Sequence, residues 1–210
     1  MPPLNLVADY GGGAMFLIFG VLAALFERGC SGQGQIVDVA MTDGVSALAG
    51  AFRTLRTAEL WHAEREANLL DGGAPYYRVY ETADGGFLSV APIEPQFFAA
   101  LLDGLGLSAD EVPAQSDTER HPRLERIFTE RFASKTRDEW TAVFAGTDAC
   151  VTPVLTWTEA QSNEHLRARR TIVDVGGTPQ AAPAPRFSRS AAGPIGSPPQ
   201  HATPLDEIGW

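Results

Sequence analysis

The sequence predicts an α/β chain: a helix–turn–strand layer at its start, then a compact α+β unit over roughly residues 76–170. Three observations carry this expectation. The segment Ala14 to Phe26 is apolar on nearly every side and is followed by a turn and the β-forming run Ile36-Val37-Asp38-Val39-Ala40. Strand formers flank Asp84-Gly85-Gly86, and helical spacing of apolar residues recurs between Pro95 and Phe144. At 210 residues the chain has room for one substantial domain or two small ones.

The first apolar segment follows Asp9-Tyr10-Gly11-Gly12-Gly13, whose glycines mark a helix start and a place of close packing. An all-round apolar helix is expected to be buried in a core. Ser31-Gly32-Gln33-Gly34-Gln35 reads as a turn, and residues 36–40 as a strand. Val45, Leu48, Ala49, Phe52 and Leu55 predict one helix over Thr42–Arg56, capped by Thr42 or Asp43. Residues 41–75 thus form a helical connector that ends at Asp71-Gly72-Gly73.

Tyr76-Tyr77-Arg78-Val79-Tyr80-Glu81 and Phe87-Leu88-Ser89-Val90-Ala91 predict a hairpin about Asp84-Gly85-Gly86. Pro95 opens a helix bearing Phe97, Phe98, Leu101 and Leu102, which Gly104 closes. Two more helices follow, Arg123–Phe132 with Leu124, Ile127 and Phe128 on one face, and Arg137–Phe144 with Trp140 and Phe144. Val151–Leu155 reads as a strand and Thr158–Arg170 as a helix. From 171 to 210 the prolines at 179, 183, 185, 194, 198, 199 and 204 predict an extended segment, with Pro185-Arg186-Phe187-Ser188 as its anchored piece. Trp61, Trp140 and Trp157 read as packing residues, as do Tyr76 and Tyr77.

Composition narrows the function classes. Sixteen Lys and Arg against 26 Asp and Glu give a net charge of -10, which opposes nonspecific binding to nucleic acid or an anionic membrane. Arg167, Arg169 and Arg170 read as the solvated end of a short helix. Cys30 and Cys150 lack metal-ligand spacing and read as small buried apolar groups in a reducing compartment, so no metal site, no disulfide and a cytoplasmic location are expected. The run Ala14–Phe26 falls short of the ~20 residues that cross a bilayer, and the opening lacks a basic leader, so no membrane span or signal peptide is expected.

Several ordered segments carry a family resemblance. Asn5-Leu6-Val7-Ala8-Asp9-Tyr10-Gly11-Gly12-Gly13 and Ser31-Gly32-Gln33-Gly34-Gln35-Ile36-Val37-Asp38 resemble the centre of bacterial α-methylacyl-CoA racemases, of the family III CoA-transferase superfamily. Asp71-Gly72-Gly73-Ala74-Pro75-Tyr76-Tyr77, Ile93-Glu94-Pro95-Gln96-Phe97-Phe98, Asp148-Ala149-Cys150-Val151-Thr152-Pro153-Val154 and Pro185-Arg186-Phe187-Ser188 resemble it in the same order. The resemblance implies a partial Rossmann-like large domain over 1–40, a small α+β domain over 76–170, and a C-terminal segment returning to the large domain. It also implies an interlocked homodimer, or a complementing N-terminal polypeptide. The family's chain runs on ahead of the point matching Met1, and that part would hold most of the parallel sheet, most of the CoA surface and a Gly-His-Asp segment with a catalytic histidine. His62, His121, His165 and His201 stand in no such context.

Racemising a 2-methylacyl thioester requires one group to remove the α-proton and another to return a proton on the opposite face. The resemblance assigns the carboxylate base to Asp9, whose residues alone suggest a helix N-cap. Amides of the glycine-rich helix start are then expected to face a developing enolate oxygen. Asn5 is a candidate for orienting Asp9 or substrate, though its place after two prolines also fits a turn. Glu94 is implied to reach the active site from the small domain, while its position before Pro95 also fits helix-dipole electrostatics. The substrate implied is an acyl-CoA, with CoA as part of the substrate and no separate cofactor. Two alternatives stand beside the racemase: a CoA-transferase in which Asp9 attacks the thioester as a nucleophile, and a catalytically inactive dimerising fragment.

Overall fold

The structure, a computed structural model, describes residues 3–197, so Pro198, Pro199, Pro204 and His201 of the expected extended segment lie outside it. The chain divides between Ala74 and Pro75 into two compact units.

The first unit opens at Leu4, in the left-handed region at φ 55°, and enters a π-helical segment over Leu6–Met15. Its wide i→i+5 pattern is seen in the Tyr10 N–H donating to the Asn5 carbonyl at 3.2 Å. The segment runs directly into α1 (Phe16–Ser31), which ends at Gly32, φ 77°, whose N–H donates to Arg28 O at 2.8 Å. Two short helices follow, α2 (Met41–Leu48) and α3 (Gly50–Thr57).

A backbone-to-backbone crossing joins the π-helical segment to α2. A Cβ on Gly12 would lie 2.8 Å from Val45 Cγ2 and 2.9 Å from Val45 N, and one on Gly44 would lie 1.9 Å from the Gly12 carbonyl oxygen. Only glycines permit this approach. The glycine run therefore serves tight packing. A Cβ on Gly20 would likewise meet Val37 Cγ1 at 2.9 Å, so the chain after the turn runs back along α1.

Five expectations for this unit are corrected. The helix begins at Leu6, so the glycines lie inside it. Residues 36–40 pair with no other strand among the described residues, because no neighbour is present to complete a ladder. The single helix over 42–56 is broken at Ala49 (φ -83°, ψ 3°) ahead of Gly50, and it starts from Ala40 with no side-chain cap. Fourth, α1 buries none of its residues: the returning chain meets it at Gly20, and Phe19 is 72% and Phe26 78% exposed. With the π-helical turns, Leu6–Ser31 makes a 26-residue helix of mean hydropathy 1.7, long and apolar enough by length and composition to cross a membrane. Fifth, the helix is longer than the apolar run Ala14–Phe26, because the π-helical turns of Leu6–Met15 continue it toward the N-terminus.

The second unit is built on an antiparallel sheet of order β1-β2-β3, with β1 Arg78–Glu81, β2 Phe87–Val90 and β3 Val151–Val154. Arg78 faces Val90 and Glu81 faces Phe87 across the hairpin, and Phe87 faces Val154 on the other side. The hairpin closes through Gly85 at φ 74°, where the Gly85 N–H donates to Thr82 O at 3.0 Å. Helices α4 (Pro95–Leu105), α5 (His121–Phe132) and α6 (Arg137–Phe144) supply the core with the sheet. Tyr80, Leu88, Val90, Leu101, Leu124, Phe128, Phe132, Trp140 and Phe144 form one buried cluster. Each fully buried large side chain contributes about 1.5–3 kcal/mol. The Trp140 indole N–H is satisfied by Phe132 O at 2.9 Å.

Helix α4 continues through Gly104 to Gly106, which takes the left-handed cap at φ 66°. Gly104 has a packing role instead, since a Cβ there would lie 2.3 Å from Phe144 Cε1. The expected helix over 158–170 is two pieces, α7 (Trp157–Ser162) and α8 (Glu164–Ala168), split at Asn163, whose side chain accepts from the Leu166 N–H and restarts the helix. Beyond it, where extended chain is expected, lies a hairpin: β4 (Ile172–Val175) and β5 (Thr178–Ala181) about Gly176 and Gly177, both at positive φ. Pro179 sits in β5, which is exposed along its length. Trp157 is 86% exposed, and Cys30 and Cys150 are exposed, so these are not packing residues.

Candidate active site

Asn5 and Asp9 stand on the first unit, Glu94 on the second. Asn5 precedes the π-helical segment at φ -94°, ψ 16° and makes no side-chain cap bond. Its carbonyl, not its amide side chain, is engaged, accepting from Tyr10. Asp9 lies within the first turn and is exposed. It caps nothing, so the N-cap reading of its residues is excluded. Three residues later Gly12 is locked against α2, and that crossing fixes the backbone that carries Asp9.

The amides expected to face an enolate oxygen are also displaced. Because Tyr10 already donates to Asn5 O, the unpaired amides of a helix start lie before Tyr10, and the three glycines sit within the helical ladder.

Glu94 is the N-cap residue of α4, extended at φ -75°, ψ 143°, with Pro95 in the first turn. Its carbonyl accepts from Phe97 N–H (3.1 Å) and Phe98 N–H (2.9 Å), while its carboxylate makes no capping bond and is exposed. A carboxylate left free by the helix it precedes is available for other chemistry. Although Cys150 is exposed, partial desolvation of its sulfur pushes the thiol up, and the Glu94 and Asp148 carboxylates push it further.

Ile93 and Pro95, on either side of Glu94, line a cavity of about 360 Å³ with Tyr76, Gln115 and Ser116. A larger cavity of about 610 Å³, walled by Arg170, Val173, Arg186 and Phe187 among others, includes none of the three candidates. Size therefore does not identify the site here. In the larger cavity Arg186 Nη2 donates to Arg170 O at 3.0 Å, an anchoring contact for the Pro185-Arg186-Phe187 piece.

Two features, one in each unit, gave no sequence signal. In the first unit, Asn68 is buried and closes a loop: its Oδ1 accepts from His62 N–H (2.7 Å), and its Nδ2 donates to His62 O (3.1 Å) and Asp71 Oδ2 (2.7 Å). Burial would raise the Asp71 carboxyl, but hydrogen bonds from the Asn68 side chain and from the Asn68, Gly73 and Ala67 amides hold it below its ordinary value. Gly73 is required there, because a Cβ would lie 2.7 Å from Asn68 N and Glu66 O. In the second unit, the Gln115 side chain reaches back to the residues just before Glu94. Neither shows a periodicity, because both act through irregular backbone. No group of three or more metal-ligating side chains occurs among the described residues.

Residues 3–204 match CoA-transferase family III. Over 194 residues the chain is 47% identical to the α-methylacyl-CoA racemase of Mus musculus, covering 92% of this chain and 51% of that protein. Over 171 residues it is 44% identical to the α-methylacyl-CoA racemase of Homo sapiens, covering 81% of this chain and 45% of that one. The crystal structure of a CAIB/BAIF family protein from Brucella suis shares the fold at a TM-score of 0.69 and 21% identity, over 91% of this chain and 51% of that chain. The chain thus spans about half the length of the curated relatives it matches.

Proposed function

The chain belongs to CoA-transferase family III, and from that premise we propose that it supplies the carboxylate base for racemising 2-methylacyl-CoA thioesters. The observation that carries this is Asp9: an exposed carboxylate on a π-helical turn whose backbone is held by the Gly12–Gly44 crossing. The 44–47% identity to two α-methylacyl-CoA racemases favours proton exchange over acyl transfer as the use made of it.

In the proposed reaction Asp9 takes the α-proton, the electron pair of that C–H bond moves into the thioester carbonyl, and an enolate forms. A second acid on the opposite face then returns a proton to the same carbon, giving the other epimer with no net change in atoms or electrons. That second group is proposed to be the histidine the resemblance implies, supplied from the half of the relatives' length that this chain does not span. The thioester itself makes the α-proton acidic, so the proposal uses no metal or organic cofactor. Glu94 is proposed to support the second group from the small domain.

The test is solvent exchange. With a polypeptide corresponding to the remaining half of the relatives supplied, the chain is expected to move deuterium from D2O into the α-position of a 2-methylacyl-CoA, read by mass spectrometry. Asp9→Asn, which keeps the shape and removes the base, should slow exchange by about 10²–10⁴-fold. Transfer of CoA to an added carboxylic acid without α-exchange would overturn the racemase reading in favour of Asp9 as a nucleophile.

A further inference from the structure

Glu94 is a surface carboxylate on an irregular stretch of chain, and such a group is useful in proton transfer only if its backbone is held. The hydrogen bonds around it show how this is done. Upstream, the Ala91 N–H donates to Cys150 O at 3.0 Å, tying the chain to the start of β3. Downstream, the first turn of α4 closes on the Glu94 carbonyl. Between these points, Pro92 and Ile93 have carbonyls that no regular element uses.

Both carbonyls are taken by one side chain. Gln115 Nε2 donates to Pro92 O at 3.1 Å and to Ile93 O at 2.8 Å, across 23 and 22 residues of sequence. A primary amide has two N–H donors, so both are spent on consecutive carbonyls immediately before Glu94. Gln115 is held in turn. Its own carbonyl accepts from His121 Nε2 at 3.1 Å, and the His121 ring packs edge-on against Tyr76 at 5.7 Å, which packs edge-on against Phe98 of α4 at 5.8 Å. Pro92 and Pro113, near the two ends of the clamp, are fully buried. The loop that carries Gln115 is therefore docked on the same helix that Glu94 begins.

We propose that Gln115 is a positioning residue for Glu94: its amide clamps the Pro92 and Ile93 carbonyls so that the Glu94 carboxylate is presented from a fixed backbone. The proposal rests on the reading of Glu94 as an active-site group, but part of its test does not. Carbonyls without the clamp would turn to water, and the two-residue link from Pro92 to Pro95 would no longer set where the carboxylate projects. Reaction geometry tolerates little such error.

Cys150 provides a readout that needs no substrate, since the Glu94 carboxylate acts on its thiol. In a Cys30→Ser background, the pH dependence of Cys150 alkylation is measured for the parent, Glu94→Gln, Gln115→Ala and the double variant. Removing the Glu94 charge should lower the thiol's midpoint. Gln115→Ala should shift it in the same direction, and the double variant should go no further than Glu94→Gln alone. A Gln115→Ala midpoint equal to the parent's, or additive shifts in the double variant, would overturn the clamp. Gln115→Met has a similar length, lacks both N–H donors and adds no charge, so it keeps the test open if the alanine variant misfolds; its thiol should shift as the alanine variant's does.

The α-exchange assay then separates the two ideas. If Glu94→Gln exchanges at the parent rate, the active-site reading of Glu94 falls while the thiol data still judge the clamp. If Glu94→Gln is impaired, Gln115→Ala should lose about tenfold in kcat with KM little changed. A normal kcat there would sink the clamp and leave Glu94's role standing.

Discussion

At the level of single residues, the candidates differ in how far their neighbours commit them. Asp9 and Glu94 each read on local grounds as helix-start residues, and neither side chain makes a capping bond. Elsewhere in the chain, residues at such positions do cap: Thr136 with Glu139 and Thr156 with Glu159 form reciprocal capping boxes. Glu159 does more, since Arg137 also pairs with it through Nη1 and Nη2 while donating to Val154 O. The Arg137 hydrogen bond and those from Thr156 hold the Glu159 carboxyl down at about 2, against an ordinary value of 4.5. A carboxyl lowered on folding stabilises the protein above its unfolded value and loses that contribution as pH falls through the folded one. Chemical denaturation should therefore show stability that declines between about pH 4.5 and 2. Glu159→Gln, which keeps the cap and removes the charge, should flatten that part of the profile relative to the parent. Asp9 and Glu94 were legible as residues worth attention, but their freedom from capping was not, because sequence shows the position of a side chain and not what it bonds. Gln115 was invisible for the same reason: its partners lie more than 20 residues away.

Among the elements, those read correctly have a face. The hairpin at Asp84-Gly85-Gly86, the helices ending at Phe132 and Phe144, and the strand at Val151 all present apolar residues at the period of their own geometry, and the core uses those residues. Misreadings fell where a break was local. Asn163 and Ala49 each divide a stretch whose average composition favours helix, and Gly176-Gly177 turns a segment that its prolines argued against. Glycine is more than punctuation in this chain. Gly104 sits inside α4 against Phe144, and Gly12 and Gly44 sit where two helical backbones touch. Gly104→Ala gains helix propensity of up to about 1 kcal/mol but must displace a core ring, an overpacking cost of about 1–3 kcal/mol. Urea denaturation should show a net loss of stability. Gly44→Ala places a methyl against a carbonyl oxygen that cannot move without the π-helical segment, so it should depress Asp9-dependent exchange even where the second unit melts normally.

On the scale of the molecule, the two units are unlike in how they are finished. The second has a buried core of its own. The first has its closest packing at glycines and leaves Leu17, Ile18, Phe19, Leu22, Leu25 and Phe26 exposed along one helix. Monomeric soluble proteins rarely show so large a contiguous apolar surface. Sequence revealed the apolar helix but not its exposure, because hydrophobicity tells that a surface seeks cover and not whether this stretch of chain provides it. The isolated chain should bind a dye such as ANS strongly and sediment as associated species. Phe19→Asp with Phe26→Asp should reduce both while leaving the unfolding of the second unit unchanged. In a living cell the same bare helix would act as a signal for quality control: chaperones and proteases survey such surfaces. The half-life of this polypeptide, and so its abundance, should follow how quickly that helix is covered after synthesis.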